Sequence, residues 1–120
     1  MMTRTKHTLT ARLRETTYDR IKSVANYMGI PVSSLLHLML RWAARTPDSE
    51  DYLKWWALRP PTMEDLAVVH ADLKPEFQAI MLRFQEQHGL SRSAVIEAIW
   101  VPWVLNHREY LPWEDESSGQ

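Results

Sequence analysis

Cysteine is absent from the 120 residues, which excludes disulfides, thiolate zinc sites, iron–sulfur ligation and Cys nucleophiles. Packing therefore has to carry the stability. Glycine occurs only at positions 29, 89 and 119, so there is no Gly-rich loop to cradle a phosphate. No window approaches the roughly 18 uninterrupted apolar residues of a membrane span, and Met1 to His7 lacks the apolar stretch of a secretory leader. A cytoplasmic protein without a membrane segment is expected. The five histidines, His7, His37, His70, His88 and His107, show no HxxxH or carboxylate-rich ligand spacing, so neither a metal nor another cofactor is expected. Ser33 and His37 lie one helical turn apart, but no third triad member or oxyanion hole accompanies them, and an enzyme is not expected.

What is present is an ordinary globular composition, 45% apolar and 24% charged, with a net charge of only -1. That balance conceals a division. Residues 1–60 hold ten Lys and Arg against five Asp and Glu, whereas residues 61–120 hold four against ten. Within residues 1–45 the basic residues Arg4, Lys6, Arg12, Arg14, Arg20, Lys22, Arg41 and Arg45 face only Glu15 and Asp19. A basic half beside an acidic one points to a polyanion as partner of the first, although mutual attraction of the halves would also account for it.

The chain also repeats itself at an offset of sixty. Leu9-Thr10-Ala11-Arg12-Leu13 aligns with Val69-His70-Ala71-Asp72-Leu73, and Gly29-Ile30-Pro31-Val32-Ser33 with Gly89-Leu90-Ser91-Arg92-Ser93, with no gap between the blocks. Ile21, Val24, Leu35, Leu36 and Met39 fall opposite Met81, Phe84, Val95, Ile96 and Ile99. A further echo at offset 58 sets Asp51-Tyr52-Leu53-Lys54-Trp55 against Glu109-Tyr110-Leu111-Pro112-Trp113. A repeated supersecondary unit cannot bury its apolar face alone and needs its neighbour.

Each unit reads as a strand followed by two helices. Leu9, Ala11 and Leu13 alternate with Thr8, Thr10, Arg12 and Arg14, the period of a half-buried strand. Ile21, Val24, Ala25 and Met28 recur at helical spacing up to Gly29, a residue suited to the left-handed turn that ends a helix. A second helix is expected from about Ser33, as its cap, to Ala44. The second unit gives a strand over 67–73, a helix opened by Pro75 with Phe77, Ile80, Met81 and Phe84 on one face, and a helix from about Ser91, in which Pro102 is expected to kink or interrupt the run after Trp100. The organisation expected is a first basic unit over 1–45, a linker over 46–66 with a short helix near 51–58 and a small cap at Thr62, a second, acidic unit over 67–113, and a disordered tail over 114–120.

A seven-residue strand ending apolar-Ala-Arg-Leu, followed by two helices with Gly-apolar-x-x-Ser opening the second, resembles the ribbon-helix-helix family of Arc and MetJ repressors. The carriers are Leu9 to Leu13, Tyr18, Ile21, Ala25, Gly29 to Ser33 and Leu35-Leu36 in the first copy, and Ala71, Leu73, Gly89 to Ser93 and Val95-Ile96 in the second. The resemblance covers roughly residues 6–45 and 67–105 and implies a mainly helical fold of tandem units, with four core helices and one two-stranded antiparallel ribbon formed as an intrachain pseudo-dimer. It also implies that the ribbon enters the major groove of double-stranded DNA and reads bases with its outward side chains.

Carried over residue by residue, the base readers are Thr8, Thr10 and Arg12, with His70 from the second copy. Arg4, Lys6 and Arg14 lie near backbone phosphates, and the helix starts at Val32-Ser33-Ser34 and Arg92-Ser93 clamp phosphate through their amides. Ser33 and Ser93 also read as plain helix caps. The second unit departs from the pattern at Asp72, where a carboxylate stands in place of Arg12; it repels phosphate but can accept from a cytosine amino group. Pairing of the two strands within one chain and pairing of like units in a homodimer are both open. The implied role is a transcriptional regulator, a repressor above all, or a DNA-accessory protein of a plasmid or phage. The rival is a protein-binding module, an antitoxin or inhibitor, that uses the acidic second unit and the Trp-rich tail; a pI near 6.5 favours it. Most of the six Trp are expected in the core, with an exposed Trp patch as the alternative.

Overall fold

A computed structural model gives the structure of residues 8–58 and 65–113. Arg4, Lys6, Thr62 and the tail 114–120 lie outside these described residues. The elements follow the order β1 (Thr8–Arg14), α1 (Glu15–Met28), α2 (Val32–Arg45), α3 (Ser49–Ala57), β2 (Leu66–Asp72), α4 (Pro75–His88) and α5 (Arg92–Asn106), then one 3-10 turn over Arg108–Tyr110. Among the described residues the protein is therefore mainly helical, with five α-helices and one two-stranded antiparallel sheet. None of these helices is long and apolar enough to cross a membrane.

Alternation in both strands produces a two-faced ribbon. Leu9, Ala11, Leu13, Val69 and Ala71 are buried, and Thr8, Thr10, Arg12, Val68, His70 and Asp72 are exposed. β1 pairs with β2 inside the same chain: Thr8 opposite Asp72, Thr10 opposite His70, Arg12 opposite Val68 and Arg14 opposite Leu66. One pair of this register, Thr10 against His70, joins residues sixty apart, so the two repeats are related by a twofold turn about that pair.

The helices close over the inner face of the ribbon. Ile21 and Val24 of α1, Leu35, Leu36, Met39 and Leu40 of α2, Phe77, Met81 and Phe84 of α4, and Val95, Ile96, Ile99 and Trp103 of α5 form one core with it. Each such Leu, Ile or Phe taken out of water stabilises by about 1.5–3 kcal/mol. The echo at offset 58 also has a structural meaning, because Leu53 of α3 and Leu111 beyond the 3-10 turn are both fully buried anchors. Trp100 and Trp103 are core residues, and Trp42, Trp56 and Trp113 pack half-buried against it, whereas Trp55 is 55% exposed.

Gly29 and Gly89 end α1 and α4 with φ of 73° and 64°, where a side chain is unfavourable. Four expectations are corrected. The second strand spans Leu66–Asp72, one residue earlier than expected at each end, and the linker helix likewise starts early, at Ser49. Ser33 does not cap α2: the N-cap is Pro31, whose ring already holds φ at -66°, and the helix begins at Val32. α5 runs through Pro102 to Asn106 without a break. Proline removes one helical hydrogen bond there, and the surrounding packing outweighs it, since Trp100, Pro102 and Trp103 are all buried. The end of the helix is further tied by Asn106 Nδ2 donating to the Pro102 carbonyl and by His107 Nδ1 on the Trp103 carbonyl, each at 2.7 Å.

Candidate nucleic-acid interface

Beyond the pair of Arg14 with the half-exposed Leu66, the outer face of the ribbon presents three further cross-strand pairs. At one end the Thr8 hydroxyl donates to Asp72 Oδ1 at 3.2 Å. In the middle Thr10 Oγ1 and His70 Nδ1 lie 3.3 Å apart. At the other end Arg12 stands opposite Val68, whose side chain is half exposed. The step from Thr8 to Arg12 covers about 13 Å along the strand, comparable with the width of a DNA major groove. Charge runs along this face, anionic at Asp72 and cationic at Arg12.

The ribbon owes its fixed position to what seals its free edges. On the β1 side, Ser93 Oγ accepts from the Arg12 amide at 2.9 Å and Glu97 Oε2 from the Arg14 amide at 2.8 Å. On the β2 side, His37 Nε2 accepts from the Lys74 amide at 3.3 Å. Residues 37 and 97, and likewise 14 and 74, are sixty apart, so the two units use the same position for the same task with different side chains. Helix side chains thus hold two amides on the free edge of β1 and one amide just beyond the end of β2.

Glu97 belongs to no motif in the sequence and is central to the structure. It is only 5% exposed. Its second oxygen accepts from Thr17 Oγ1 at 2.7 Å and from Arg14 Nε and Nη2 at 3.2 and 3.1 Å. Arg14 is accordingly drawn into an ion pair with its guanidinium 5.7 Å from the Trp56 ring centroid. The available signal was a lone acid inside the apolar run Val95-Ile96-Glu97-Ala98-Ile99, since a buried carboxylate requires donors.

His37 stacks on Phe77 with ring centroids 4.2 Å apart. Burial, then the nearby positive charge of Lys74, lower its pKa below the ordinary 6.5, although Glu76 opposes the shift. The neutral ring is the form that can accept from the Lys74 amide.

The two helix starts assigned to phosphate differ. In α5, Ser91 is the cap and its Oγ accepts from the Ala94 amide at 3.1 Å, while Ser93 is committed to the Arg12 amide. In α2 no side-chain cap is made at Pro31, and Val32, Ser33 and Ser34 form the first turn, where backbone amides lack carbonyl partners within the helix. The structure thus brings Thr8, Thr10, Arg12 and His70 onto one face and pairs Arg14 with Glu97. Among the described residues no cluster of three potential metal ligands occurs. No family model, curated protein or solved structure matches the chain.

Proposed function

We propose that the chain is a tandem pair of ribbon-helix-helix units, 1–45 and 67–113 joined by the linker 46–66, folded as an intrachain pseudo-dimer that binds duplex DNA through its ribbon. The observation that carries this reading is the register: strands sixty residues apart pair about Thr10 and His70 and leave Thr8, Thr10 and Arg12 exposed together. A two-stranded ribbon fits the major groove, Arg12 has the geometry for guanine, and Val68 beside it offers an apolar contact for a thymine methyl. Arg4 and Lys6, with the first-turn amides of Val32, Ser33 and Ser34, supply phosphate contacts, and Arg92 adds a charge at the second helix start. Arg14 contributes by holding β1 to α5 instead.

Because Thr8 meets Asp72 and Arg12 meets Val68, the face has no chemical twofold symmetry, and the preferred DNA site is not a palindrome. Such a protein acts as a transcriptional regulator that occludes a promoter, or as a plasmid or phage DNA-accessory protein. Selection of bound duplexes from a random library at about 0.15 M salt tests this, since nonspecific phosphate attraction is strongly weakened there. A nonpalindromic motif that is lost with Arg12→Ala is expected; no enrichment would refute the proposal. The second reading, a protein-binding module, is favoured by the exposed Trp55 and Leu58 and by the acidic second half. The double change Trp55→Ser and Leu58→Ser, both at exposed positions, separates the two, because a DNA binder keeps its site and a partner-binding protein loses its partner.

A further inference from the structure

A cleft of about 320 Å³ opens on the side of the molecule between α2 and the chain following α5. Half of its eight lining residues are aromatic, and their rings pack on one another. Trp103 and His107 stack with centroids 4.4 Å apart and planes within 14°, Tyr110 continues the stack at 6.3 Å, and Trp42 meets His107 edge-on at 5.5 Å. His107 is fixed in this stack by its Nδ1 on the Trp103 carbonyl. The wall is thus pre-formed, and Leu38 and Tyr110 leave its mouth 41% and 40% exposed.

The charged residues of the lining are Arg41 and Arg45, with no carboxylate among them. Arg41 is partly engaged, 3.8 Å from Glu76 and over the Phe77 ring at 5.1 Å. Arg45, in the last turn of α2, is exposed and has no ion-pair partner among the described residues. Clefts of this size with aromatic walls and a few placed polar groups are the usual form of a small-molecule site. We propose that this cleft binds a small planar aromatic molecule bearing a carboxylate or similar anionic group. The ring lies against Trp42, His107 and Tyr110, where flat aromatic surfaces stack, and the anion pairs with Arg45, whose guanidinium can hold a carboxylate in bidentate fashion. This site is separate from the ribbon face and does not depend on the DNA reading.

The test uses the full chain without DNA and follows the indole N–H signals of Trp42 and Trp103 by NMR during titration with indole-3-acetate, with indole and acetate as controls. Expected are saturable shifts of both signals by indole-3-acetate, and affinities for indole and for acetate weaker by about tenfold or more, the loss of roughly one charged contact. Arg45→Gln, a surface change, is expected to remove that advantage over indole, and Tyr110→Leu to weaken both aromatic probes. Absence of saturable shifts up to about 10 mM probe would overturn the proposal, as would equal binding of indole and indole-3-acetate. Shifts confined to other residues would do the same.

Discussion

Replacement of Glu97 by alanine is the substitution with the most to lose. It removes acceptors for the Arg14 amide, the Arg14 guanidinium and the Thr17 hydroxyl in one step. Arg14 has a side chain 22% exposed, so water restores part of its solvation, but Thr17 is buried and has no such recourse. Breaking a buried ion pair by deleting one partner costs about 3–5 kcal/mol, a large share of the roughly 5–15 kcal/mol that holds a domain together. We expect Glu97→Ala to fall near the lower end of that range because of the partial exposure of Arg14. Glu97→Gln keeps one carbonyl oxygen and a similar shape and is expected to lose less. Urea unfolding followed by circular dichroism measures both, with an unchanged slope showing that only stability has moved. The companion Arg14→Met in the Glu97→Ala background is expected to cost much less than Arg14→Met alone, since the two residues act as a unit. A loss under about 1 kcal/mol for Glu97→Ala would refute the argument that this carboxylate anchors the ribbon, because a surface ion pair is worth no more than that.

Other expectations follow from single residues. His37 has a folded pKa below its unfolded value of 6.5, so its contribution to stability is present above 6.5 and is lost as pH falls from there through the lowered folded value. Denaturation midpoints between pH 7.5 and 5 are therefore expected to fall more steeply for the wild type than for His37→Gln, and parallel curves would contradict this. At Gly29 an added Cβ meets nothing within 4 Å, so the cost of Gly29→Ala is that of the left-handed backbone alone, about 1–2 kcal/mol by thermal or urea unfolding. Arg12→Ala is expected to reduce affinity for a selected duplex by about 1–3 kcal/mol and to relax preference at one base position, as read by fluorescence anisotropy with base-substituted duplexes.

The local elements were legible because they rest on local physics. Alternation at Leu9, Ala11 and Leu13 marks β1, the periodic stripe up to Gly29 marks α1, and Pro75 marks the start of α4. Errors arose where one local rule met another or where distance intervened. Ser33 is a good capping residue, but Pro31 sits two positions earlier with its φ already set and takes the place. Pro102 is a helix breaker by propensity, yet it lies in the buried part of α5, where packing decides. Arg14 reads as one more outward base on a strand of alternating pattern; its partner is 83 residues away, beyond any periodicity. The same distance hid the shared role of His37 and Glu97, which the repeat aligns but whose chemistry differs. The candidate face was legible as Thr8, Thr10, Arg12 and His70, whereas the pairings of Thr8 with Asp72 and Arg12 with Val68 required the register.

The proposed DNA-binding surface is the outer face of the ribbon. A titration of the isotopically labelled protein with duplex DNA, followed by backbone amide NMR, tests it residue by residue. The largest shifts are expected on Thr8, Thr10, Arg12, Val68, His70 and Asp72 and on the first turn of α2, with little change at α3 or the 3-10 turn. Shifts centred on Trp55 and Leu58, or no shifts at all, would contradict it.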